Sequence, residues 1–261
     1  MNALAIADDA NPSIYTGVSN NGVWVAVDNF VSTLKTNSLY ALMFKVFLKI
    51  GSSGAQQSTN LINTASNGTF FGSWVHNATG SKSNGLNTYF KTGVIAETLA
   101  TSSNNFGFTS TLNTIDAVAS QDYAVVVGAY DASNTANNRV QHYVIAPDIN
   151  KQSFSLGSLY GSSITLNSLG VFTLSRDNSA ISTANRNGVQ VLSGSSSGTN
   201  LSTGELYEAA TNIYDILDES NFLAATIGVT AYHKHLTTAN SLILFNAIDA
   251  LESALARKQY T

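Results

Sequence analysis

The chain has 261 residues, of which 44% are hydrophobic and 11% are charged, and its formal net charge is −4. This length and apolar content allow one domain with a buried core, whereas the small negative charge excludes the basic footprint of a nucleic-acid-binding protein. The chain has no cysteine, which excludes disulfide bonds and cysteine-ligated metal sites.

The first predicted element is an amphipathic helix over residues 21–36. Apolar side chains recur there at i, i+3, i+7 and i+10, which is the spacing of one helical face, and they follow the capping sequence Asn20-Asn21-Gly22. We expect Ser38 to cap a second, short helical turn that ends at Leu42. The alternation of apolar and polar residues in Phe44–Ile50 then predicts the first strand.

Short apolar segments between polar loops predict a β-sandwich from about Gly51 to Tyr232. Each two-faced strand needs a second sheet to cover its apolar side, and no helical crossover is evident, so we expect two antiparallel sheets. The predicted strands are Thr69–Val75, Thr88–Ile95, Phe106–Leu112, Asp122–Tyr130, Val140–Ile145, Gln152–Leu156, Val171–Arg176, Gly188–Leu192, Glu205–Ala210 and Phe222–Tyr232.

The segment Gly170–Gly194 predicts a β-meander that contains almost no catalytic side chain. Val171–Arg176 alternates apolar and polar residues, and turn residues follow it directly. Asn187-Gly188 stands where a type I′ hairpin needs two residues at positive φ. We therefore expect three short antiparallel strands in this segment.

A C-terminal helix is predicted from Thr237 or Thr238, either of which can cap it. Its apolar face is formed by Leu244, Ile248, Leu251 and Leu255, and it is widened by Leu242, Ile243 and Phe245. A face of this width indicates burial on two sides. The second side is covered either by the N-terminal helix of the same chain or by another subunit.

Several segments resemble the concanavalin A-like (laminin G-like) β-sandwich proteins of tailed bacteriophages and some bacteria. The resemblance rests on the meander of Gly170–Gly194, on Phe70–Asn77 with Asn84–Tyr89, on Asp28–Lys35, and on the last strand and helix from residue 227 to residue 257. It covers most of the chain. It implies a mainly β protein with an antiparallel jelly-roll sandwich.

With this resemblance we divide one globular domain into three parts. Residues 1–50 form an N-terminal helical segment leading into the first strand, residues 51–235 form the concanavalin A-like sandwich, and residues 236–261 form a C-terminal helix packed on it. The resemblance implies a non-enzymatic structural protein of a phage virion, in a tail, fibre or capsid surface. Its expected partners are other virion proteins and copies of itself.

The predicted location is an extracellular virion. The first nine residues lack the positively charged region of a secretory signal peptide. No apolar run reaches the roughly 18 to 20 residues that a membrane-spanning helix needs. We therefore expect a protein that is made in the host cytoplasm without a signal peptide, does not insert into membranes, and leaves the cell in a particle.

Side chains suited to sugar binding lie beside the predicted loops. Aromatic rings stack on the C–H groups of sugars, and amide, hydroxyl and charged groups bind the ring hydroxyls. The candidate ligand-binding residues are Trp74, His76, Tyr89, Tyr130, Asp131, Asn138 and Arg139. The alternative for Trp74 and Tyr89 is packing in the core, where large aromatic residues usually lie. The expected ligand is a host-surface glycan, and a free carbohydrate-binding lectin is the alternative setting.

Two polar clusters bear on metal binding. Asp131–Asn134, with Asn137 and Asn138, offers oxygens to calcium, but calcium takes about six to eight oxygen ligands and a single carboxylate is more typical of a turn. His233 and His235 share one strand face without a third ligand nearby, and we interpret them as a solvated strand end. We predict no cofactor, with calcium as the alternative.

A polysaccharide-degrading enzyme is a further hypothesis, and the sequence does not favour it. Laminarinase-type glycosidases of the resembled fold carry Glu-x-Asp-x-Glu on the active strand, and this sequence has no such run. The nearest pair, Glu205 and Glu208, has odd spacing along a strand and therefore points to opposite faces. We interpret both residues as solvated structural acids and predict a non-enzymatic protein.

Overall fold

The fold is described by a computed structural model for residues 21–100, 105–116, 123–130, 139–145, 151–156, 159–165, 169–177, 181–195, 201–213, 216–218 and 222–260. The helices are α1 (Asn21–Thr36), α2 (Gly54–Gln57), α3 (Ala96–Ala100) and α4 (Thr238–Ala254), with a 3₁₀ turn at Tyr40–Leu42. The strands are β1 (Met43–Phe47), β2 (Thr69–Phe71), β3 (Val75–Asn77), β4 (Gly80–Lys82), β5 (Tyr89–Ile95), β6 (Phe106–Ile115), β7 (Tyr123–Tyr130), β8 (Arg139–Ile145), β9 (Lys151–Leu156), β10 (Leu159–Thr165), β11 (Gly170–Asp177), β12 (Ile181–Arg186), β13 (Val189–Gly194), β14 (Glu205–Glu208), β15 (Thr211–Ile213), β16 (Ile216–Asp218) and β17 (Ala225–His233).

These strands form two sheets. Sheet A has eight strands in the order β13-β12-β11-β6-β17-β4-β3, with β1 also paired to β17. Sheet B has nine strands in the order β10-β9-β8-β7-β14-β5-β2, with β15 beside β7 and β16 beside β15. The predicted antiparallel β-sandwich is confirmed. The one exception among the described strand pairs is β15, which runs parallel to β7.

Two apolar cores hold the layers together. The first lies between the sheets and includes Phe90 on β5 and Phe172 on β11. The second lies between sheet A and the helices, and it includes Leu34 of α1 and Leu244 of α4. Alternate residues of the sheet A strands point to the two cores, so sheet A is covered on both sides. The molecule therefore has three layers, with the helices on the outer face of sheet A.

The N-terminal helix has the predicted bounds, but the predicted role of Ser38 is wrong. Ser38 has a φ of 59° and follows the last residues of α1. The Ser38 N–H donates to the Lys35 carbonyl over 3.0 Å, and the Leu39 N–H donates to the Leu34 carbonyl over 2.8 Å. This is a Schellman motif, so Ser38 terminates α1 and does not cap the 3₁₀ turn that follows.

Other local predictions are confirmed. Thr237 caps α4, and its hydroxyl accepts a hydrogen bond from the Asn240 N–H. Asn187 and Gly188 both have positive φ, at 49° and 73°, between β12 and β13. The strand prediction misses β4, β10, β15 and β16. The sequence of β10, Leu159–Thr165, is rich in glycine and serine and gives little apolar alternation, and the other three strands have only three residues each. No helix in the described part of the chain has both the length and the apolar character needed to span a membrane.

Candidate functional site

Three aromatic rings stack across neighbouring strands on the outer face of sheet B. Phe71 on β2 pairs with Tyr89 on β5, and their ring centroids are 4.8 Å apart with an interplanar angle of 4°. The Tyr207 ring on β14 lies 5.1 Å from the Tyr89 ring at 29°. We call Phe71, Tyr89 and Tyr207 the aromatic stack.

The alternation of the strands explains why these rings face outward. Phe70, Phe90 and Leu206 are immediate neighbours of the stacked residues and point into the core between the sheets. Phe71 is 36% exposed and stands on β2, the last strand in the order of sheet B, whereas Tyr207 at the inner end of the stack is 2% exposed. The stack therefore presents its Phe71 end to solvent.

A lysine lies against the stack. The Lys91 Nζ atom lies 5.3 Å from the ring centroid of Phe71 and 5.3 Å from that of Tyr207. A hydrogen bond to Tyr207 raises the pKa of Lys91, and burial raises the pKa of Tyr207. Glu205 on β14 interacts electrostatically with Lys91, and its carboxylate accepts a hydrogen bond from the Gly93 N–H over 2.7 Å. A fixed positive charge is thus combined with flat apolar rings.

Trp74 holds the two strands of the stack together from the side. Its indole N–H donates to the Phe71 carbonyl over 2.9 Å and lies 3.3 Å from the Tyr89 carbonyl. Its ring packs edge to face on Phe70 with centroids 5.1 Å apart. Trp74 is half-buried against the core, so its geometry fits a positioning role for the rings of Phe71 and Tyr89.

His76 lies on β3 of sheet A and contacts Phe70 on the core side of β2. Its Nδ1 atom is 2.7 Å from the Gln57 side-chain oxygen, and its ring lies 4.5 Å from the Phe70 ring. Burial, and secondarily the nearby Lys49 charge, lower the pKa of His76. The structure thus brings His76 and Trp74 together around Phe70, while Tyr89 points to the opposite face.

Tyr130 and Arg139 form a second aromatic and cationic pair on sheet B. They are partners across β7 and β8, and the Arg139 guanidinium lies 5.2 Å from the Tyr130 ring centroid. Tyr130 is two residues beyond Gly128, which pairs with Tyr207 of the aromatic stack. Residues two apart on a strand share a face, so this pair and the stack lie on the same face of sheet B. Asp131 and Asn138 lie outside the described residues.

The strand period in the sequence carries a signal for the stack. Thr69–Phe71, Tyr89–Lys91 and Glu205–Tyr207 each place outward-facing side chains two residues apart. Sequence reasoning misses Phe71, Lys91 and Tyr207 because this periodicity does not show which strands are neighbours. The pairing of β2, β5 and β14 brings them together.

The two glutamates do point to opposite faces, but the interpretation of both as solvated is wrong. Glu205 lies on the outer face of β14, whereas Glu208 is completely buried between the sheets. A carboxylate oxygen of Glu208 lies 3.1 Å from Lys49 Nζ, and another accepts hydrogen bonds from the Thr230 and Tyr232 hydroxyls. Every oxygen of Glu208 thus faces a protein group.

The histidine pair is not a solvated strand end. His233 is fully buried, its Nε2 atom is 3.0 Å from the Thr109 hydroxyl, and its Nδ1–H donates to the Lys234 carbonyl. His235 is half-buried and lies 3.1 Å from the Ser175 hydroxyl. In the described residues, no cluster of three or more histidine, aspartate or glutamate side chains is arranged to hold a metal ion. The proposed calcium ligands from residue 131 to residue 138 fall outside the described residues.

No family model matches the sequence, and no curated protein matches it. Among solved structures, the chain is similar to that of botulinum neurotoxin type C, whose cell entry depends on interaction with two ganglioside molecules. The identity is 14%, the TM-score is 0.56, and the match covers 82% of this chain and 53% of that one. Trypanosoma rangeli sialidase in complex with 2,3-difluorosialic acid gives 10% identity and a TM-score of 0.56, over 87% of this chain and 39% of that one.

A third similar structure is the binding domain of botulinum neurotoxin DC in complex with rat synaptotagmin II. Its identity is 12% and its TM-score is 0.55, and the match covers 80% of this chain and 52% of that one. This chain therefore spans about half, or less, of each of these three structures. At these identities the similarity establishes the fold, which is a β-sandwich.

Proposed function

We propose that this chain is a non-enzymatic glycan-binding protein and that the outer face of sheet B is its binding surface. The observation that carries the proposal is the aromatic stack, with one ring 36% exposed and a lysine fixed beside it. Sugars present C–H groups on one side of the ring, which pack on aromatic faces, and hydroxyls at the rim, which need polar partners. The stack and Lys91 supply both kinds of group.

The Tyr130–Arg139 pair supports an extended binding surface. It lies on the same sheet face as the stack and repeats its combination of ring and cation. A glycan of several units contacts such a face through successive rings. The proteins of similar fold support a glycan ligand only by analogy: neurotoxin type C interacts with gangliosides, and the sialidase holds a sialic acid derivative.

A binding role is favoured over hydrolysis by the positions of the carboxylates. Most glycosidases, though not sialidases, use two carboxyl groups that reach the same sugar bond, roughly 5 to 9.5 Å apart. Glu208 is enclosed with Lys49 between the sheets, so it does not reach a sugar that Glu205 reaches on the outer face. Incubation of capsular glycans with wild type and Glu205→Gln tests hydrolysis. Release of reducing ends by wild type would overturn the non-enzymatic role, and loss of that release in Glu205→Gln would place Glu205 in the reaction.

The setting we propose is the surface of a phage virion, with a free lectin as the alternative. This part rests on the resemblance of the sequence to concanavalin A-like phage proteins. The same resemblance supports the proposed partners, which are other virion proteins and further copies of this chain. Electron microscopy of purified particles with an antibody to the chain tests the setting. Labelled particles are expected. Particles without label would overturn the virion setting and leave a free lectin as the alternative.

A glycan array tests the binding surface. The chain is displayed at high valency as wild type, Phe71→Ala, Tyr89→Ala and Val189→Ala. Val189 is a matched control because it is 65% exposed and lies on β13 of sheet A. We expect the first two variants to lose about 10-fold or more in binding and the control to retain it. Retained binding in both stack variants would overturn the assignment of this surface, and no binding by wild type would overturn the function.

A further inference from the structure

We infer that the glycan bound at the aromatic stack carries a carboxylate and that Lys91 binds this group. The inference rests on the proposed function and specifies its ligand as an acidic sugar. Uronic acids and sialic acids share this chemistry, because both join a carboxylate to a six-membered ring with an apolar side.

The position of Lys91 is fixed by the strand register. Lys91 follows Tyr89 by two residues on β5, so the two side chains share the outer face. It pairs with Thr69 on one side and with Tyr207 on the other. From this central place its ammonium group reaches two rings, those of Phe71 and Tyr207, at 5.3 Å each. A sugar that packs on the Phe71 ring therefore lies beside the cation.

The charge of Lys91 is not neutralised by a direct ion pair. Among the described residues, no carboxylate oxygen lies within 4.0 Å of its ammonium group; the four ion pairs of that part of the chain join Lys49 to Glu208, Lys82 to Asp116, Arg257 to Glu252 and Lys258 to Asp249. Glu205, an acid on the same face, interacts with Lys91 electrostatically, but its carboxylate accepts its hydrogen bond from the Gly93 N–H. The ammonium thus keeps the capacity to bind an external carboxylate.

Glu205 also interacts with a second cation, Lys45, which is buried on β1 of sheet A. Lys45 Nζ donates to the Ser66 and Thr92 carbonyls over 3.1 and 2.9 Å, and it interacts electrostatically with Glu205. Among the described residues, these two lysines and one glutamate give an excess of positive charge beside the stack, in a chain whose formal net charge is −4. This local reversal of sign favours an anionic ligand at the stack over other parts of the surface.

The geometry distinguishes an acidic sugar from a simple anion. A free phosphate or acetate gains a charge-assisted hydrogen bond from Lys91 but has no apolar face for Phe71. A neutral sugar packs on the ring but leaves the ammonium group without a charged partner. An acidic sugar satisfies both groups at once, so its binding requires both residues.

The test uses pairs of glycans that differ only by the carboxylate: a glucuronate oligosaccharide with its glucose counterpart, and a sialylated oligosaccharide with its asialo counterpart. Binding to the whole chain is measured by titration for wild type, Lys91→Met, Lys91→Arg and Lys35→Met. Lys35 is a matched control because its ammonium lies 5.1 Å over the Tyr40 ring, away from sheet B. Thermal unfolding of each variant verifies that the fold is retained.

We expect wild type to bind at least one acidic glycan about 10-fold more tightly than its neutral counterpart. Lys91→Met should remove this difference, whereas Lys91→Arg and Lys35→Met should keep it. High salt should weaken the binding of the acidic glycan and leave the binding of the neutral glycan unchanged. Equal binding of acidic and neutral glycans, lost in Phe71→Ala, would overturn the inference while the proposed function stands. Failure of every glycan to bind would overturn the proposed function itself.

Discussion

The ammonium group of Lys49 lies 3.1 Å from a carboxylate oxygen of Glu208, and both side chains are fully enclosed between the two sheets. The same ammonium lies 3.2 Å from the centroid of the Phe90 ring. Burial lowers the pKa of Lys49 to about 8, and the charge of Glu208 partly offsets this effect. Lys49 and Glu208 therefore stabilise each other's charged form in the core.

Removal of one partner of this pair should destabilise the protein strongly. Lys49→Met leaves the Glu208 carboxylate in the core with only the Thr230 and Tyr232 hydroxyls as partners. We expect a loss of about 3–5 kcal/mol in the free energy of unfolding, measured by urea denaturation. The double variant Lys49→Met/Glu208→Gln removes both charges and should regain part of this loss. A single variant within about 1 kcal/mol of wild type would contradict the prediction.

Stability should fall as the pH is lowered from about 6.5 to about 4. Burial lowers the pKa values of His142 and His233 to about 4. Since the unfolded chain binds protons from about pH 6.5 downward, it takes up protons before the folded chain does, and folding becomes less favourable across this window. Each histidine contributes on the order of 3 kcal/mol at most.

Urea denaturation at several pH values measures this dependence. His142→Gln removes a ring that stacks on Phe154 and packs at a tilt against Phe172, and His233→Asn removes the imidazole partner of Thr109, so both variants should lower stability at neutral pH. The diagnostic result is the slope of stability against pH between about 4 and 6.5, which should flatten in each variant. An unchanged slope in the double variant would show that other groups are responsible.

A glycine at position 256 should stabilise the protein. Ala256 has a φ of 53° and terminates α4, with its N–H donating to the Ser253 carbonyl and the Arg257 N–H donating to the Glu252 carbonyl. Alanine is strained in this conformation and glycine is not, so we expect Ala256→Gly to gain about 0.5–1 kcal/mol. Ala250→Gly inside α4 is the control and should lose about 1 kcal/mol. Thermal unfolding would contradict the prediction if both variants were destabilised equally.

The apolar face of α4 should be needed for folding. Leu244 is completely buried in the core shared with α1 and sheet A, whereas Leu242 is 44% exposed. We expect Leu244→Glu to unfold the chain or lower its yield, and Leu242→Glu to fold as wild type does. For both variants, circular dichroism measures whether the chain is folded and sedimentation measures its oligomeric state. A soluble, folded monomer obtained from an oligomer by Leu244→Glu would instead place this face at an interface between subunits.

Local patterns predicted the elements that depend on nearby residues. The period of the apolar residues gives the bounds of α1, the capping threonine gives the start of α4, and Asn187-Gly188 gives a hairpin turn, because each depends on hydrogen bonds and sterics within a few residues. The end of α1 is harder to predict from the sequence, since a serine at positive φ in place of glycine is infrequent after a helix. This explains the error at Ser38.

The candidate site depended on pairings that the sequence does not show. Tyr89 was predicted from its residue type, but Phe71 and Tyr207 join it only through the register of β2, β5 and β14. The sequence pattern assigns Glu208 wrongly for the same reason: its partner Lys49 lies in a distant part of the chain, and a charged residue without a visible partner is normally assigned to the surface.

The three-layer arrangement separates two surfaces of the molecule. The helices α1 and α4 cover one side of sheet A, and the aromatic stack lies on the far side of sheet B. Packed sheets are about 10 Å apart, and the helical layer adds a similar thickness, so on the order of 20 Å of protein lies between the two surfaces. The molecule is thus two-sided: attachment through the helical layer leaves the aromatic stack facing outward, where a large ligand reaches it without steric conflict.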